Sequence, residues 1–128
     1  MSKSYSHEQL LSALFGIQDL LERARVPFFL VRGTLVRVMN SMELDGDHID
    51  VGVKKSELTE NAKDVMKNVQ SIYSLGESSI EYIIENISVI IHIYPDDVLE
   101  LQNPDTIIYA YEPFLVPNPI KTFLQKSL

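Results

Sequence analysis

The chain has 128 residues, a formal net charge of −7 at pH 7 and no cysteine. Its length suits one domain of ordinary size. Its 45% of apolar and 23% of charged residues are typical of a folded chain rather than a disordered one. The acidic balance excludes a groove for long nucleic acids, because neutralising many phosphates requires clustered lysines and arginines. A nucleotide still fits an acidic chain where a metal ion lies between carboxylates and phosphates.

The sequence also supports an expectation about where in the cell the protein is found. It contains no run of 18 apolar residues, and its first seven residues include no apolar signal segment. We therefore expect neither a membrane span nor a secretion signal. Without cysteine there is no disulfide framework and no thiolate metal site. A cytoplasmic protein is the simplest expectation.

The first part of the chain predicts a helix followed by a strand. Residues 7–25 carry leucines and an isoleucine at spacings of three and four, which is typical of an amphipathic helix. Ser6 is the expected N-cap and Glu8 lies in the first turn. Pro27 ends this helix. Residues 28–31, Phe-Phe-Leu-Val, predict a short buried strand.

The middle of the chain predicts a second helix and a second strand. Gly33 and Thr34 mark a turn, and residues 35–39 suit a short helix that leads into a polar loop. Residues 48–53 alternate polar and apolar side chains, as a strand with one buried face does. Residues 56–70 predict a third helix with Ser56 as its cap.

The remainder predicts a sheet-rich segment and a final helix. Residues 80–84 and 87–94 read as two strands joined at Glu85-Asn86, a two-residue hairpin turn. Further elements are a strand at 106–111, a short strand at 114–116 and a terminal helix at 120–128. The predicted fold class is therefore α/β (α+β), a mixed β-sheet with helices packed against it, in a single domain of residues 1–128.

Polar side chains interrupt two of the apolar strands. Residues two apart on a strand point to the same side, so His48 and Asp50 project together. A charged aspartate in such a strand costs free energy unless it is paired, hydrogen-bonded or bound to a cation. His92 interrupts the later apolar strand in the same way. If the two strands are neighbours, His48, Asp50 and His92 converge, and such a set suits Zn, Mn or Fe.

A second candidate feature lies where the first strand meets the short helix. Backbone N–H groups at a strand–turn–helix junction such as Gly33-Thr34 hold phosphate, and the glycine permits close approach. Arg32 and Arg37 would add charge-assisted contacts. Plainer interpretations stay open for both features. A lone strand histidine is usually an ordinary core or edge residue, the aspartates fit a solvated loop, and the glycine and arginines fit a surface turn.

Four segments occur in an order that is typical of one superfamily. Thirteen residues separate Thr34 from His48. The segments are Gly33-Thr34-Leu35-Val36, Asp47-His48-Ile49-Asp50-Val51-Gly52, Ile91-His92-Ile93-Tyr94-Pro95 and Val116-Pro117-Asn118-Pro119. In this order the chain resembles the nucleotidyltransferase superfamily over roughly residues 8–126, and most closely its LicD and fukutin branch. The resemblance implies a minimal nucleotidyltransferase-like fold.

The chain departs from that family's pattern at three positions. Arg32 stands where the family has the first glycine of a pair, and His48 and His92 stand where it has metal-binding carboxylates. Asp50 is the carboxylate that remains, with Asp47 just before it. The family implies Mg or Mn, whereas two imidazoles favour Zn, Mn or Fe.

The resemblance implies a metal-dependent transferase that acts on a nucleotide-activated donor. It assigns the following roles: catalysis to Asp50 and Asp47, metal binding to His48, Asp50 and His92, and phosphate binding to Arg32, Gly33, Thr34 and Arg37. One alternative is a catalytically inactive descendant that binds a nucleotide or a protein partner, which the loss of two carboxylates favours. Another is an unrelated metal-dependent hydrolase. Exposed strand edges and the apolar segment 109–116 are compatible with a homodimer.

Overall fold

The computed structural model describes residues 4–68, 72–75 and 78–127. Within these ranges the chain forms four α-helices and seven β-strands. The helices are α1 His7–Arg23, α2 Arg32–Met39, α3 Glu60–Lys67 and α4 Ile120–Ser127. The strands are β1 Phe29–Leu30, β2 His48–Lys54, β3 Ile72–Leu75, β4 Ser79–Ile84, β5 Ile87–Tyr94, β6 Asp105–Tyr109 and β7 Glu112–Val116.

All these strands join one mixed sheet in the order β3-β4-β5-β2-β1-β7-β6. The pairs β2–β5 and β1–β7 are parallel, and the other neighbouring pairs are antiparallel. β2 therefore lies at the centre of the sheet with a parallel partner on one side and the short β1 on the other. The expected class, a mixed sheet with helices packed against it, is confirmed.

One face of the sheet forms the core with α1. Alternation along β2 buries Ile49, Val51 and Val53 on this face, and the partner strand β5 adds Val89 and Ile91. α1 begins with a capping box in which the Ser6 hydroxyl accepts from the Gln9 N–H and the Gln9 side chain accepts from the Ser6 N–H. Its buried stripe follows the predicted spacing: Leu10, Ala13, Leu14, Ile17, Leu20 and Leu21.

The predicted helix at 56–70 begins later than expected. Residues Lys55–Glu57 form a 3-10 turn, and α3 starts at Glu60. Its cap is Thr59, whose hydroxyl accepts a hydrogen bond of 3.1 Å from the Ala62 N–H. Ser56 instead donates its backbone N–H to Asp96 Oδ1. The prediction's last residues, 69 and 70, lie outside the described part of the chain.

Two hairpin turns differ in how well the sequence predicts them. The Glu85–Asn86 turn between β4 and β5 is confirmed, with positive φ at both residues as a type I′ turn requires. A second turn of the same kind at Ala110–Tyr111 divides the predicted strand at 106–111 from its neighbour, so β6 ends at Tyr109. Strand β3 is absent from the prediction.

β3 and β6 are the edges of the sheet. Near the β6 edge, Ile108 is 70% exposed and the hairpin residue Tyr111 is fully exposed. These apolar side chains suit a contact with another copy of the chain, and the homodimer stays a prediction. No helix in the described ranges has the length and hydrophobicity needed to cross a bilayer.

We expect Gly52→Ala to destabilise the protein by about 1–3 kcal/mol, the usual cost of overfilling a packed interior. A Cβ at this position would lie 2.7 Å from Tyr94 Cε2 and 2.9 Å from Val31 Cγ1. The matched control is Gly33→Ala, because nothing lies within 4 Å of a Cβ there and α2 favours alanine. Urea denaturation of both variants is the measurement. Equal stability of the two variants would contradict the close approach at Gly52.

Candidate functional site

Asp50 is a buried carboxylate at the centre of the sheet. Its residue exposure is 5%. It lies on β2, and in the β2–β5 register it is the partner of Ile90, while Gly52 is the partner of His92. His92 therefore lies two positions further along the neighbouring strand and on the same face as Asp50. Burying an ionised carboxylate without partners would be costly, so its contacts decide whether this arrangement is stable.

Both oxygens of the Asp50 carboxylate contact an imidazole. His48 Nε2 lies 3.0 Å from Oδ2, and His92 Nε2 lies 2.8 Å from Oδ1. His48 Nδ1 also lies 2.7 Å from Asp47 Oδ1. The three side chains thus meet as the sequence predicts for neighbouring strands. They form a hydrogen-bonded chain in which Asp50 stands between the two imidazoles, and Asp47 forms its solvent-exposed end.

The backbone of Asp50 is held by the start of α2. Its N–H donates to Thr34 Oγ1 at 2.9 Å, and both residues are buried. β1 pairs with β2 only as far as the Leu30–Val51 partners, because the chain then turns into α2. The threonine hydroxyl takes the place of a strand partner for Asp50. This role of Thr34 was not predicted, since no local pattern links it to a residue sixteen positions away.

The first turn of α2 faces the same region and has no side-chain cap. Its N-cap residue is Val31, which offers no oxygen to the first N–H groups of the helix. Uncapped N–H groups at a helix start carry partial positive charge and bind anions. Gly33 and Thr34 lie in this turn. A phosphate that accepts hydrogen bonds from these N–H groups would lie close to Asp50 and the two imidazoles that contact it.

A pocket of about 200 Å³ opens beside this turn. It brings together five of the residues predicted to form the site. It is lined by Gly33, Thr34, Arg37, Leu44, Asp45, His48, Ile49 and Asp50. Arg37 lies at the rim, 3.4 Å from Asp45 Oδ2, in a contact that is half exposed and therefore weak. We call this space the phosphate pocket, after the phosphate binding that the sequence predicts for Gly33, Thr34 and Arg37.

Three predicted site residues do not line the phosphate pocket. His92 reaches the site only through its contact with Asp50, and Asp47 only through its contact with His48. Arg32 lines a different pocket, with Tyr94, Val98, Phe123 and Lys126. This second pocket was not predicted, and a single residue of β2 is the signal that could have indicated it. A glycine inside an apolar strand, Gly52, often marks a close approach of another group.

The contacts of His48 shift the pKa values of two of these groups, His48 itself and Asp47. Burial opposes a charge on this imidazole, but the hydrogen bond to Asp47 and the charges of Asp50 and Asp47 outweigh it, so the pKa of His48 is raised. The same hydrogen bond lowers the pKa of Asp47. His48 therefore holds its proton to higher pH than a free histidine, and the cluster carries less net negative charge than three carboxylates would.

A preformed metal centre is not visible in the described ranges. They contain no group of three or more histidine, cysteine, aspartate or glutamate side chains arranged to hold an ion. The Nε2 atoms of His48 and His92 contact different oxygens of Asp50 rather than facing a shared point. Metal binding by His48, Asp50 and His92 stays a prediction.

We expect Thr34→Val to lower the free energy of unfolding by about 1–3 kcal/mol, because it leaves the buried N–H of Asp50 without an acceptor. The control Thr34→Ser keeps the hydroxyl and is expected to retain most of the stability. Urea denaturation measures both. A valine variant as stable as the serine variant would show that the hydroxyl contributes nothing.

The contacts of His48 also predict a pH dependence of stability. A raised pKa means that the protonated imidazole stabilises the fold fully below its ordinary pKa of 6.5 and loses this effect as pH rises through the folded value. The lowered pKa of Asp47 adds stability above its ordinary 3.8, which is lost as pH falls through the folded value. The stability difference between the wild type and His48→Gln should therefore be larger at about pH 5.5 than at about pH 8.5 in urea denaturation. An equal difference at both would contradict the contacts described.

No protein-family model and no curated protein sequence matches the chain. Among solved structures, it is similar to a protein from Thermotoga maritima described as a "putative nucleotidyltransferase". The match has a TM-score of 0.61 and 18% sequence identity, and it covers 96% of this chain and 85% of that one. At this identity the similarity concerns the fold. The chain has a nucleotidyltransferase-like fold, as the order of its sequence motifs predicts.

Proposed function

We propose that this chain binds the phosphates of a nucleotide in the phosphate pocket and acts as a nucleotidyltransferase-type or phosphotransferase-type enzyme on a nucleotide-activated donor. The observation that carries the proposal is the contact between the uncapped start of α2 and the buried Asp50 through Thr34 Oγ1. This hydrogen bond connects a helix start that would bind anions to a carboxylate that two imidazoles contact. The description of the Thermotoga protein supports the same activity class.

The finer assignment to the LicD and fukutin branch rests on the sequence motifs at residues 33–36, 47–52, 91–95 and 116–119. Through that resemblance we propose a hydroxyl-bearing acceptor such as a glycan or a cell-envelope polymer. Five residues of the first two segments line the phosphate pocket, which supports a shared role for them: Gly33, Thr34, His48, Ile49 and Asp50.

The divalent metal that the family implies fits the donor set only in part. One carboxylate and two imidazoles are poor ligands for Mg, which prefers oxygen atoms. They are good ligands by type for Mn, Zn or Fe, and we propose His48, Asp50 and His92 as the residues that would hold such an ion. A bound ion would neutralise charge on the transferred phosphate. Its binding must displace the imidazole–carboxylate hydrogen bonds, so it competes with protons.

The side chains of the pocket have separate tasks in the proposed transfer. An acceptor oxygen bonds to phosphorus, the bond to the leaving phosphate breaks, and the acceptor hydroxyl loses its proton. The N–H groups of Gly33 and Thr34 would hold the donor's phosphate oxygens, and Arg37 at the rim would offset their charge. His48 lies between Asp50 and Asp47. With Asp50 holding the ion, we assign Asp47 at the exposed end of the hydrogen-bonded chain to accept the proton and release it to solvent.

A second candidate is a catalytically inactive protein that binds a nucleotide on the same fold. A specific observation favours it: both oxygens of Asp50 already contact an imidazole, so the carboxylate is satisfied without an ion. In this case His48 and His92 stabilise a buried acid and the start of α2 alone binds the phosphates. The two candidates differ in whether nucleotide binding depends on a metal and on the charge of Asp50.

We expect Mn or Zn together with a nucleoside triphosphate to raise the melting temperature of the wild type, and Asp50→Asn to abolish this effect. Ligand at about 100 times its Kd adds about 2.7 kcal/mol of stability. The matched control is Asp64→Asn, the same change at an exposed position on α3. The measurement is thermal unfolding with ATP, GTP, CTP or UTP, with and without each metal, on protein purified without a histidine tag.

The outcomes separate the candidates. Metal-dependent stabilisation that Asp64→Asn keeps and Asp50→Asn loses supports the enzyme, and release of pyrophosphate from the triphosphate in the presence of an acceptor would then measure transfer. Stabilisation by nucleotide without metal, retained in Asp50→Asn, supports the inactive binding protein. No stabilisation by any nucleotide would overturn both.

A further inference from the structure

A second pocket of about 300 Å³ lies near the phosphate pocket, on the other side of the start of α2. It is built from α2, from the end of β5 and the turn after it, and from α4. We call it the aromatic pocket, and it is lined by Arg32, Tyr94, Val98, Phe123 and Lys126. Its volume is at the lower end of the range for small-molecule sites.

Two aromatic rings pack against each other at this pocket. The rings of Tyr94 and Phe123 lie 5.4 Å apart between centroids and are tilted by 52°. Phe123 is almost fully buried. The ring of Tyr94 extends over Gly52, where the lack of a side chain admits it: a Cβ would lie 2.7 Å from Tyr94 Cε2. The ring of Tyr94 is therefore held between β2 and Phe123 before any ligand binds, which lowers the entropic cost of stacking on it.

Two cations lie at the same pocket, and their charges are not equivalent. Lys126 Nζ contacts the buried Glu100 Oε1 at 2.8 Å, and this contact is the main cause that lowers the pKa of Glu100. The charge of Lys126 is thus largely balanced. Arg32 forms no ion pair within the described ranges. In a chain of net charge −7, an unbalanced arginine beside a helix start favours an anionic ligand.

The backbone of Arg32 supports a role in binding. Its φ is 51°, in the left-handed region where glycine is favoured and an arginine is strained. Strained residues persist where the surrounding structure holds them, and they cluster at binding sites. This conformation directs the chain from β1 into α2 and sets Arg32 in the aromatic pocket, one residue before Gly33 in the phosphate pocket.

The two pockets are close enough for one ligand. His92 and Tyr94 are two positions apart on the same face of β5, a rise of about 7 Å. His92 contacts Asp50 of the phosphate pocket, while Tyr94 lines the aromatic pocket. A ligand that fits both has phosphates at one end, a planar ring at the other and a short linker between them. A nucleotide has this form.

We propose that the aromatic pocket is the base subsite of this protein: the base of a nucleotide stacks on the partly exposed ring of Tyr94, which Phe123 supports from the interior, while Arg32 contacts its phosphate or ribose. The inference rests on the proposed nucleotide binding and adds where the base lies. Base–aromatic stacking is tolerant of base identity, because every base has a π-face. The subsite therefore predicts affinity for the nucleoside part of the ligand rather than selectivity among bases.

The test compares nucleoside triphosphates with tripolyphosphate, which has the phosphates but no base. Calorimetry with Mn gives a Kd for ATP, GTP, CTP, UTP and tripolyphosphate. Val98→Trp should fill the aromatic pocket, and its matched control is Leu99→Trp at the next residue, which is 70% exposed and outside the pocket. We expect Val98→Trp to weaken triphosphate binding by about five- to a hundredfold and to leave tripolyphosphate unchanged, while Leu99→Trp changes neither.

A second pair of variants tests Arg32 by changes that are not expected to destabilise the fold. Arg32→Gly removes the guanidinium and relieves a positive φ, so we expect a higher melting temperature together with weaker triphosphate binding. Its control is Arg25→Gly, the same change at an exposed residue with φ of 59° after α1. This control should raise the melting temperature and leave affinity unchanged.

The outcomes distinguish the two proposals. If tripolyphosphate and the triphosphates bind the wild type equally, or Val98→Trp leaves triphosphate affinity unchanged, the base subsite is wrong and the phosphate pocket stands. If Arg32→Gly retains full affinity, Arg32 has no part in binding and the subsite as proposed is overturned. If neither tripolyphosphate nor any triphosphate binds, the proposed function and the subsite fail together.

Discussion

The hydrogen bonds of one buried carboxylate connect the elements of the site. Asp50 receives a contact from each neighbouring side chain that faces it: His48 on its own strand and His92 on the parallel strand. Its backbone N–H is held by Thr34. Because burying a carboxylate without partners at the centre of a sheet would be costly, these contacts are what make the buried position of Asp50 stable. They also fix the start of α2 against β2, so the stability of the sheet and the geometry of the phosphate pocket depend on the same atoms.

The sequence predicts that His48, Asp50 and His92 meet, because each is a polar residue within a strand of otherwise apolar residues. The alternation at 48–53 places His48 and Asp50 on one face, and the run at 87–94 isolates His92. The sequence cannot reveal that the two imidazoles contact different oxygens of Asp50. This depends on the register between two strands, and His92 lies 42 residues from Asp50. The same residue types, two histidines and an aspartate, suit both a metal site and a hydrogen-bonded chain, so the sequence does not distinguish these two arrangements.

Local errors in the fold prediction have local causes. Apolar residues continue the helical pattern back to Leu58, but Thr59 offers a better cap and the 3-10 turn at Lys55–Glu57 comes first. The strand β3 has four residues, Ile72–Leu75, and its short Ile-Tyr-Ser-Leu run lacks a long alternating pattern. The aromatic pocket was missed for a different reason. Its walls come from residues 32, 94, 98, 123 and 126, and only tertiary packing brings them together.

The parallel pairing of β2 with β5 has a consequence for how the molecule folds. β4 and β5 are joined by a two-residue turn and can pair through local contacts, whereas β2 must close a loop of some forty residues before it gains its partner. Contacts of high sequence separation form slowly. We therefore expect the β4–β5 hairpin to form early and β2 to pair late, in a step that also brings Asp50 to His92. An incompletely folded chain would carry its helices and its hairpin and still have no site, so ligand binding reports on complete folding rather than on secondary structure.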